Sequence, residues 1–257
     1  MDPAPTSHSQ TARTYGEGPL LVYICGLDGT GELLFKQIPD LSKRHRVLTF
    51  RSRESGQFTY EDLTDDIARL IQQQGVDKAV VLGESFGGTV ALSFALRHQP
   101  MVERLVIVNS FARYPGRARL RLARLITASL PFRLIAVLRL VANTLGLYID
   151  GVSREDRQTF FTMMRTVSRE GYARRLRLIS ELNIVESLPE IRVPVLFIAA
   201  DRDVVVPSVK QARDMSGRIA GSKLVELKGS GHACLLGDRV KLAEILDEWI
   251  SGCWINE

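Results

Sequence analysis

The stretch KAVVLGESFGG, residues 78–88, is an apolar run that breaks at a serine flanked by glycines. The run reads as a β-strand over 78–82, and the pattern that follows reads as a helix over 86–98. Only a sharp turn fits between them, and such a strand-to-helix turn holds its central hydroxyl, that of Ser85, exposed on the rim of a sheet. The glycines two before and two after serve that turn, because its backbone is strained and helix and strand approach too closely for a Cβ. Ser85 is thereby a candidate nucleophile. Alone the pattern is weak: a shuffled chain of this composition contains glycine-x-serine-x-glycine about once in ten times, and an ordinary turn serine is the competing reading.

Working outward, short runs rich in Val, Ile and Leu at 20–25, 46–50, 78–82, 105–109, 195–199 and 223–227 read as strands buried on both faces, which suits a parallel sheet. Amphipathic stretches at 32–42, 60–74, 86–98, 208–219 and 238–251 read as the helices between them. Repeated strand–helix–strand units with right-handed crossovers make a doubly wound, mostly parallel α/β sheet of about six core strands. Residues 19–111 and 190–257 form this core. Over 112–189 the alternation stops; helical patterns follow one another without a strand, and an inserted helical cap is expected there. Its second half opens with Ser153 and, three residues later, Asp156, a helix-start pattern, and then sets Phe160, Met163, Met164 and Val167 on one face. Pro131 is expected to separate two helices in its first half.

The chain of 257 residues is ordinary in composition, with 45% hydrophobic and 25% charged residues, and has room for one sizeable domain carrying an insertion. Residues 1–18 are polar, lack a signal-peptide pattern and read as a flexible tail. The three cysteines, Cys25, Cys234 and Cys253, have no paired or metal-like spacing, so reduced thiols and a cytoplasmic location are expected. Arginines interrupt every long apolar run, which excludes a bilayer-spanning helix. From Arg113 to Glu190 there are 14 arginines and no lysine against seven acidic residues, a net +7 that exceeds the +5 of the whole chain. That composition suits a cap with an apolar inner and a basic outer face, or peripheral contact with an anionic membrane. Arginine stems lying over ordinary helices would look the same. Nucleic acid is not an expected partner, since neither a basic groove-binding helix nor interleaved aromatics accompany the charge.

A serine hydroxyl needs a histidine base and a carboxylate to orient it. Of four histidines, His8 lies in the tail, His45 in a basic turn and His98 at a helix end. His232 differs: it follows Gly-Ser-Gly between the last strand and the last helix, at the carboxyl edge of the sheet where ligands and catalytic groups of open α/β sheets collect. The carboxylate belongs between Ser85 and His232 in chain order, just after another strand. Asp201 and Asp203 both qualify. Asp203 is the expected partner, because the apolar residues and proline after it pin its turn, whereas Asp201 suits a cap or an arginine pair.

These three residues, each at the end of its own strand, resemble the α/β-hydrolase superfamily, and the resemblance covers residues 20–254. It implies the hydrolase fold with a helical cap after the strand at 105–109, Ser85 as nucleophile, His232 as base and Asp203 as acid. It also answers what the glycine-rich turn after the first central strand, CGLDGTGELLF, is for. The family forms an oxyanion hole from the backbone N–H two residues into that turn and that of the residue after the nucleophile, here Leu27 and Phe86. A phosphate loop would need a lysine after Gly31, and the glycine spacing is wrong for a dinucleotide. No cofactor or metal is therefore expected. Cys25 departs from the family's usual histidine. An apolar cap implies a lipophilic ester or thioester as substrate. The same residues would serve an acyltransferase, and a ligand-binding receptor on the same scaffold is the reading from another class. Oligomeric state leaves no trace in the sequence.

Overall fold

The computed structural model describes residues 11–129 and 152–252. Seven strands form one sheet: β1 (Ala12–Tyr15), β2 (Leu20–Ile24), β3 (Arg46–Phe50), β4 (Ala79–Glu84), β5 (Val102–Val108), β6 (Val195–Ala200) and β7 (Lys223–Leu227). Their order across the sheet is β1-β3-β2-β4-β5-β6-β7. All neighbours run parallel except β1, which lies antiparallel on β3 with Ala12 opposite Phe50. Strand ends carrying different parts of the sequence therefore share one carboxyl edge.

The helices are α1 (Ile38–Leu41), α2 (Tyr60–Gln73), α3 (Phe86–Arg97), α4 (Arg117–Ser129), α5 (Arg154–Met164), α6 (Arg169–Glu181), α7 (Ser208–Ser216) and α8 (Leu242–Ser251) among the described residues. Alternate residues of each central strand serve different layers. Val22, Val81, Leu105, Ile107 and Phe197 join the layer of α2, α3 and α7. Leu21, Tyr23, Leu82, Val106 and Ile198 join that of α8. Burial on both faces explains the nearly unbroken apolar strands. Helix starts follow local chemistry: Thr59 and Asp62 close a capping box at α2, and the Ser153 hydroxyl accepts the Asp156 N–H at the start of α5.

Three expectations need correction. Residues 12–15 are not part of a loose tail but an edge strand. They gave no core signal because Ala12, Arg13 and Thr14 stay exposed and are held by backbone pairing with β3. The sheet accordingly has seven strands rather than six. The helix expected over 32–42 shrinks to α1, because Pro39 is tolerated only in a first turn and residues upstream are engaged in turns.

Between β5 and β6 the described residues form α4, α5 and α6 and no strand. The two ends of this insertion meet where Ile184 N–H donates to Ala112 O at 3.2 Å. Of the expected apolar stripe, Phe160 and Val167 are buried, and Met164 packs against the small cluster of Val152, Phe160 and Leu236. Pro131 and Cys253 lie outside the described residues. Among those described, no helix is long and apolar enough to cross a membrane.

Candidate active site

Ser85 follows β4 with φ 55° and ψ −119°, a backbone conformation that L-residues rarely adopt. Its surroundings over-determine it. Ser85 N–H donates to Val108 O at 2.9 Å and Gly88 N–H donates to Ser85 O at 3.0 Å. The Ser110 hydroxyl donates to the same Ser85 carbonyl at 2.7 Å. The glycines are required by space: a Cβ on Gly83 would lie 2.4 Å from Gly87 O, and one on Gly87 would lie 2.0 Å from Ile24 O. Helix α3 thus sits directly on the ends of β2 and β4, leaving the Ser85 hydroxyl at the rim.

His232 reaches that rim from the loop after β7. Its Nε2 is 2.9 Å from Ser85 Oγ, and its Nδ1 is 2.7 Å from Asp203 Oδ2. The Asp203 side chain is fully buried. Its Oδ1 accepts the N–H groups of Val205 and Val206 at 2.9 and 3.0 Å, and its Oδ2 also accepts the Ser208 hydroxyl. Burial pushes the Asp203 carboxyl up, but His232, Ser208 and the Val206 N–H outweigh it and hold it below the ordinary value. For His232, burial opposes the charged form, and the charge and hydrogen bond of Asp203, helped by Glu84, prevail and raise its pKa. Asp201, expected as a cap or an arginine partner, accepts the Gly229 N–H at 2.8 Å and so braces the histidine loop.

The turn after β2 packs against the nucleophile, since a Cβ built on Gly26 would stand 3.5 Å from Ser85 Cβ. Gly29 N–H closes the turn on Gly26 O at 3.2 Å, and Gly29 takes φ +72°. Leu27 lies within this turn, and Phe86 is the first residue of α3, where an N–H has no helical partner.

Several residues at the site escaped the sequence reading. Asn109, buried and at φ 47°, donates to His232 O at 2.7 Å and accepts Ala200 N–H at 2.8 Å. It ties together the ends of β5 and β6 and the histidine loop. Glu84, the residue before Ser85, accepts the Tyr23 hydroxyl at 2.6 Å; burial pushes its carboxyl up to about 7, against the Tyr23 hydrogen bond. A charged residue ending an otherwise apolar strand was the available signal for Glu84. For Ser110 and Ser208 there was none. Cys25 and Cys234 are buried free thiols, both pushed up by burial, which fits small hydrophobes better than nucleophiles. A cavity of about 440 Å³ between β1, β3 and the turn after β2 is lined by Arg13, Thr49, Arg51, Phe35 and Met163, and Ser85 is not among its lining residues.

Residues 21–245 of this chain match the model of a family described as "Alpha/beta hydrolase family". The chain belongs to this family. The Serratia proteamaculans protein named "Putative carbamate hydrolase RutD" is 26% identical over 247 residues, covering 90% of this chain and 91% of that protein. Phytyl ester synthase 1 of Arabidopsis thaliana chloroplasts is 26% identical over 261 residues, covering 91% of this chain but 37% of that longer protein. Among solved structures, the esterase EaEST of Exiguobacterium antarcticum superposes with a TM-score of 0.82 at 21% identity, covering 94% and 95% of the two chains, a likeness of fold. Hydrolase activity is what the family description and the name of the Serratia relative support, whereas the Arabidopsis relative is named a synthase.

Proposed function

We propose that the protein is a serine hydrolase that cleaves a carboxylic ester or thioester of a lipophilic acyl group through an acyl-enzyme. One observation carries the reading: Ser85 Oγ, His232 and Asp203 form a continuous chain of contacts of 2.9 and 2.7 Å. With Nδ1–H donated to Asp203, Nε2 presents its lone pair to the Ser85 hydroxyl. His232 takes that proton as Oγ attacks the substrate carbonyl and returns it to the leaving group. It then activates water to release the acid. The Leu27 and Phe86 N–H groups receive the oxyanion; one such donor is worth roughly 3 kcal/mol of transition-state stabilisation.

The apolar cluster of Val152, Phe160, Phe161, Met164, Leu33 and Phe35 reaches Ala233 and Leu236 beside His232, which supports a lipophilic acyl group. Acyl transfer, with an alcohol replacing water, is the second reading, favoured by the name of the Arabidopsis relative. Peripheral contact with an anionic membrane is supported by α4, where Leu122 and Leu125 are exposed among the exposed Arg119, Arg121 and Arg124; co-sedimentation with anionic but not neutral vesicles is the expected result.

The direct test is labelling with a fluorophosphonate, followed by assay on p-nitrophenyl esters of rising chain length, with Ser85→Ala as control. The expected outcome is labelling lost in Ser85→Ala and activity that peaks at longer chains. Labelling with turnover only when an alcohol acceptor is added selects the transferase. No labelling of the native protein refutes Ser85 as nucleophile.

A further inference from the structure

Arg175 belongs to α6, in the insertion, yet its side chain is completely buried. A guanidinium removed from water must have its donors met, and backbone carbonyls meet them. Nε donates to Leu27 O at 3.1 Å, Nη2 to Asp28 O at 3.1 Å and Nη1 to Arg53 O at 2.8 Å. Among the described residues no carboxylate pairs with it directly. Asp28, the nearby buried acid, has its Oδ1 occupied by the N–H and hydroxyl of Thr30. Burial accordingly lowers the Arg175 pKa, with Cys25 and Asp28 opposing.

Two of the three acceptors lie in turn 26–29, which packs against Ser85. The turn is shaped around the guanidinium: a Cβ on Gly29 would stand 2.1 Å from Nη2. Helix α6 is itself firmly seated. The Ser168 hydroxyl donates to Glu54 O at 2.7 Å, Gly56 N–H donates to Glu170 Oε1 at 2.8 Å, and a Cβ on Gly171 would meet the Glu54 backbone at 2.9 Å.

Charge-assisted bonds to the carbonyls of Leu27 and Asp28 fix the two peptide planes that follow the Leu27 N–H, while the Gly29 N–H to Gly26 O bond fixes the closure of the turn. With both flanks held, the direction of the Leu27 N–H is held too. The geometry points to Arg175 as a positioning residue that aims the Leu27 N–H at the oxyanion, so that the inserted helices complete the oxyanion hole rather than merely covering it. The inference rests on the serine-hydrolase reading above. It is specific to this side chain, since lysine carries the charge without the planar fork that reaches three carbonyls.

The test compares the native protein with Arg175→Lys, Arg175→Gln and Gly29→Ala, the last pressing on the guanidinium from the turn. The readouts are the rate of fluorophosphonate labelling at Ser85, kcat and KM for one p-nitrophenyl ester, amide hydrogen exchange over residues 26–31, and thermal stability. Exchange is expected to quicken over 26–31 in all three variants. Labelling rate and kcat should fall together by roughly 10- to 100-fold, the cost of a catalytic group displaced by about 1 Å. KM should move less than about threefold, and Arg175→Lys should retain more activity than Arg175→Gln. A purely structural role would lower the melting temperature and leave labelling and kcat per folded molecule unchanged, and that result overturns the inference. If an Arg175 variant does not fold, Gly29→Ala decides by the same readouts, and native rates there also overturn it. A native protein that does not label at Ser85 instead sinks the hydrolase reading, and the oxyanion role with it.

Discussion

Replacing Asn109 by alanine should loosen the site more than any exposed substitution. The side chain meets Ala200 N–H at 2.8 Å through its oxygen and His232 O at 2.7 Å through its nitrogen. It also reaches Gly231 O at 3.4 Å and Cys234 Sγ at 3.3 Å. Alanine leaves a buried N–H and a partly buried carbonyl without partners, at about 1–3 kcal/mol each. It must also hold φ 47°, where an alanine costs about 1 kcal/mol and asparagine is at ease. The sum is about 3–7 kcal/mol, read from urea unfolding of the two proteins. Because Asn109 holds the loop that bears His232, fluorophosphonate labelling should slow as well. Two companions separate the causes. Asn109→Gly relieves the backbone conformation and should recover about 1 kcal/mol of the loss. Asn109→Asp keeps the acceptor for Ala200 N–H but turns an anionic oxygen toward two carbonyls, and should be no better than alanine. A loss under about 1 kcal/mol for Asn109→Ala, with native labelling, would refute the hub role.

Other expectations follow from the same geometry. The proposed mechanism requires neutral His232, and its pKa lies above the ordinary 6.5. The acid limb of kcat/KM should therefore rise with pH through a midpoint above 6.5, and Glu84→Gln, which removes one of the charges holding the proton on, should move that midpoint down. A midpoint unmoved in Glu84→Gln contradicts the coupling. Gly87→Ala would place a methyl 2.0 Å from Ile24 O and 2.5 Å from Cys25 O, both backbone; a loss of at least about 3 kcal/mol is expected in thermal unfolding. Gly229→Ala, with open space around it but φ +67°, should cost about 1 kcal/mol. Phe161→Ala trims the apolar cluster beside His232. If that cluster holds the acyl chain, preference for octanoate over butyrate esters should fall severalfold, since each buried CH₂ contributes about 0.8 kcal/mol.

Much of the molecule was legible in its residues because the relevant forces are local or depend only on composition. Apolar runs such as 195–200 are buried wherever the chain goes, so six strands could be read off directly. Gly83 answers to a steric contact with Gly87, four residues on, although Gly87 itself is held to glycine by Ile24 and Cys25 at the distant end of β2. His232 and Asp203 could be placed because each follows a recognisable strand, and parallel strands gather their carboxyl ends at one edge.

What the sequence left undetermined depends on partners that are distant along the chain. The strand at 12–15 contributes no apolar face and exists through backbone pairing with β3. Glu84 and Tyr23 are 61 positions apart and pair only because β2 and β4 are neighbours. Arg175 is one of 14 arginines in a basic segment, and nothing in its local sequence distinguishes it from those that face water. A polar side chain's role is set by which groups surround it once water is gone, and only the folding of α6 over turn 26–29 and the segment at Arg53 supplied the carbonyls that Arg175 holds.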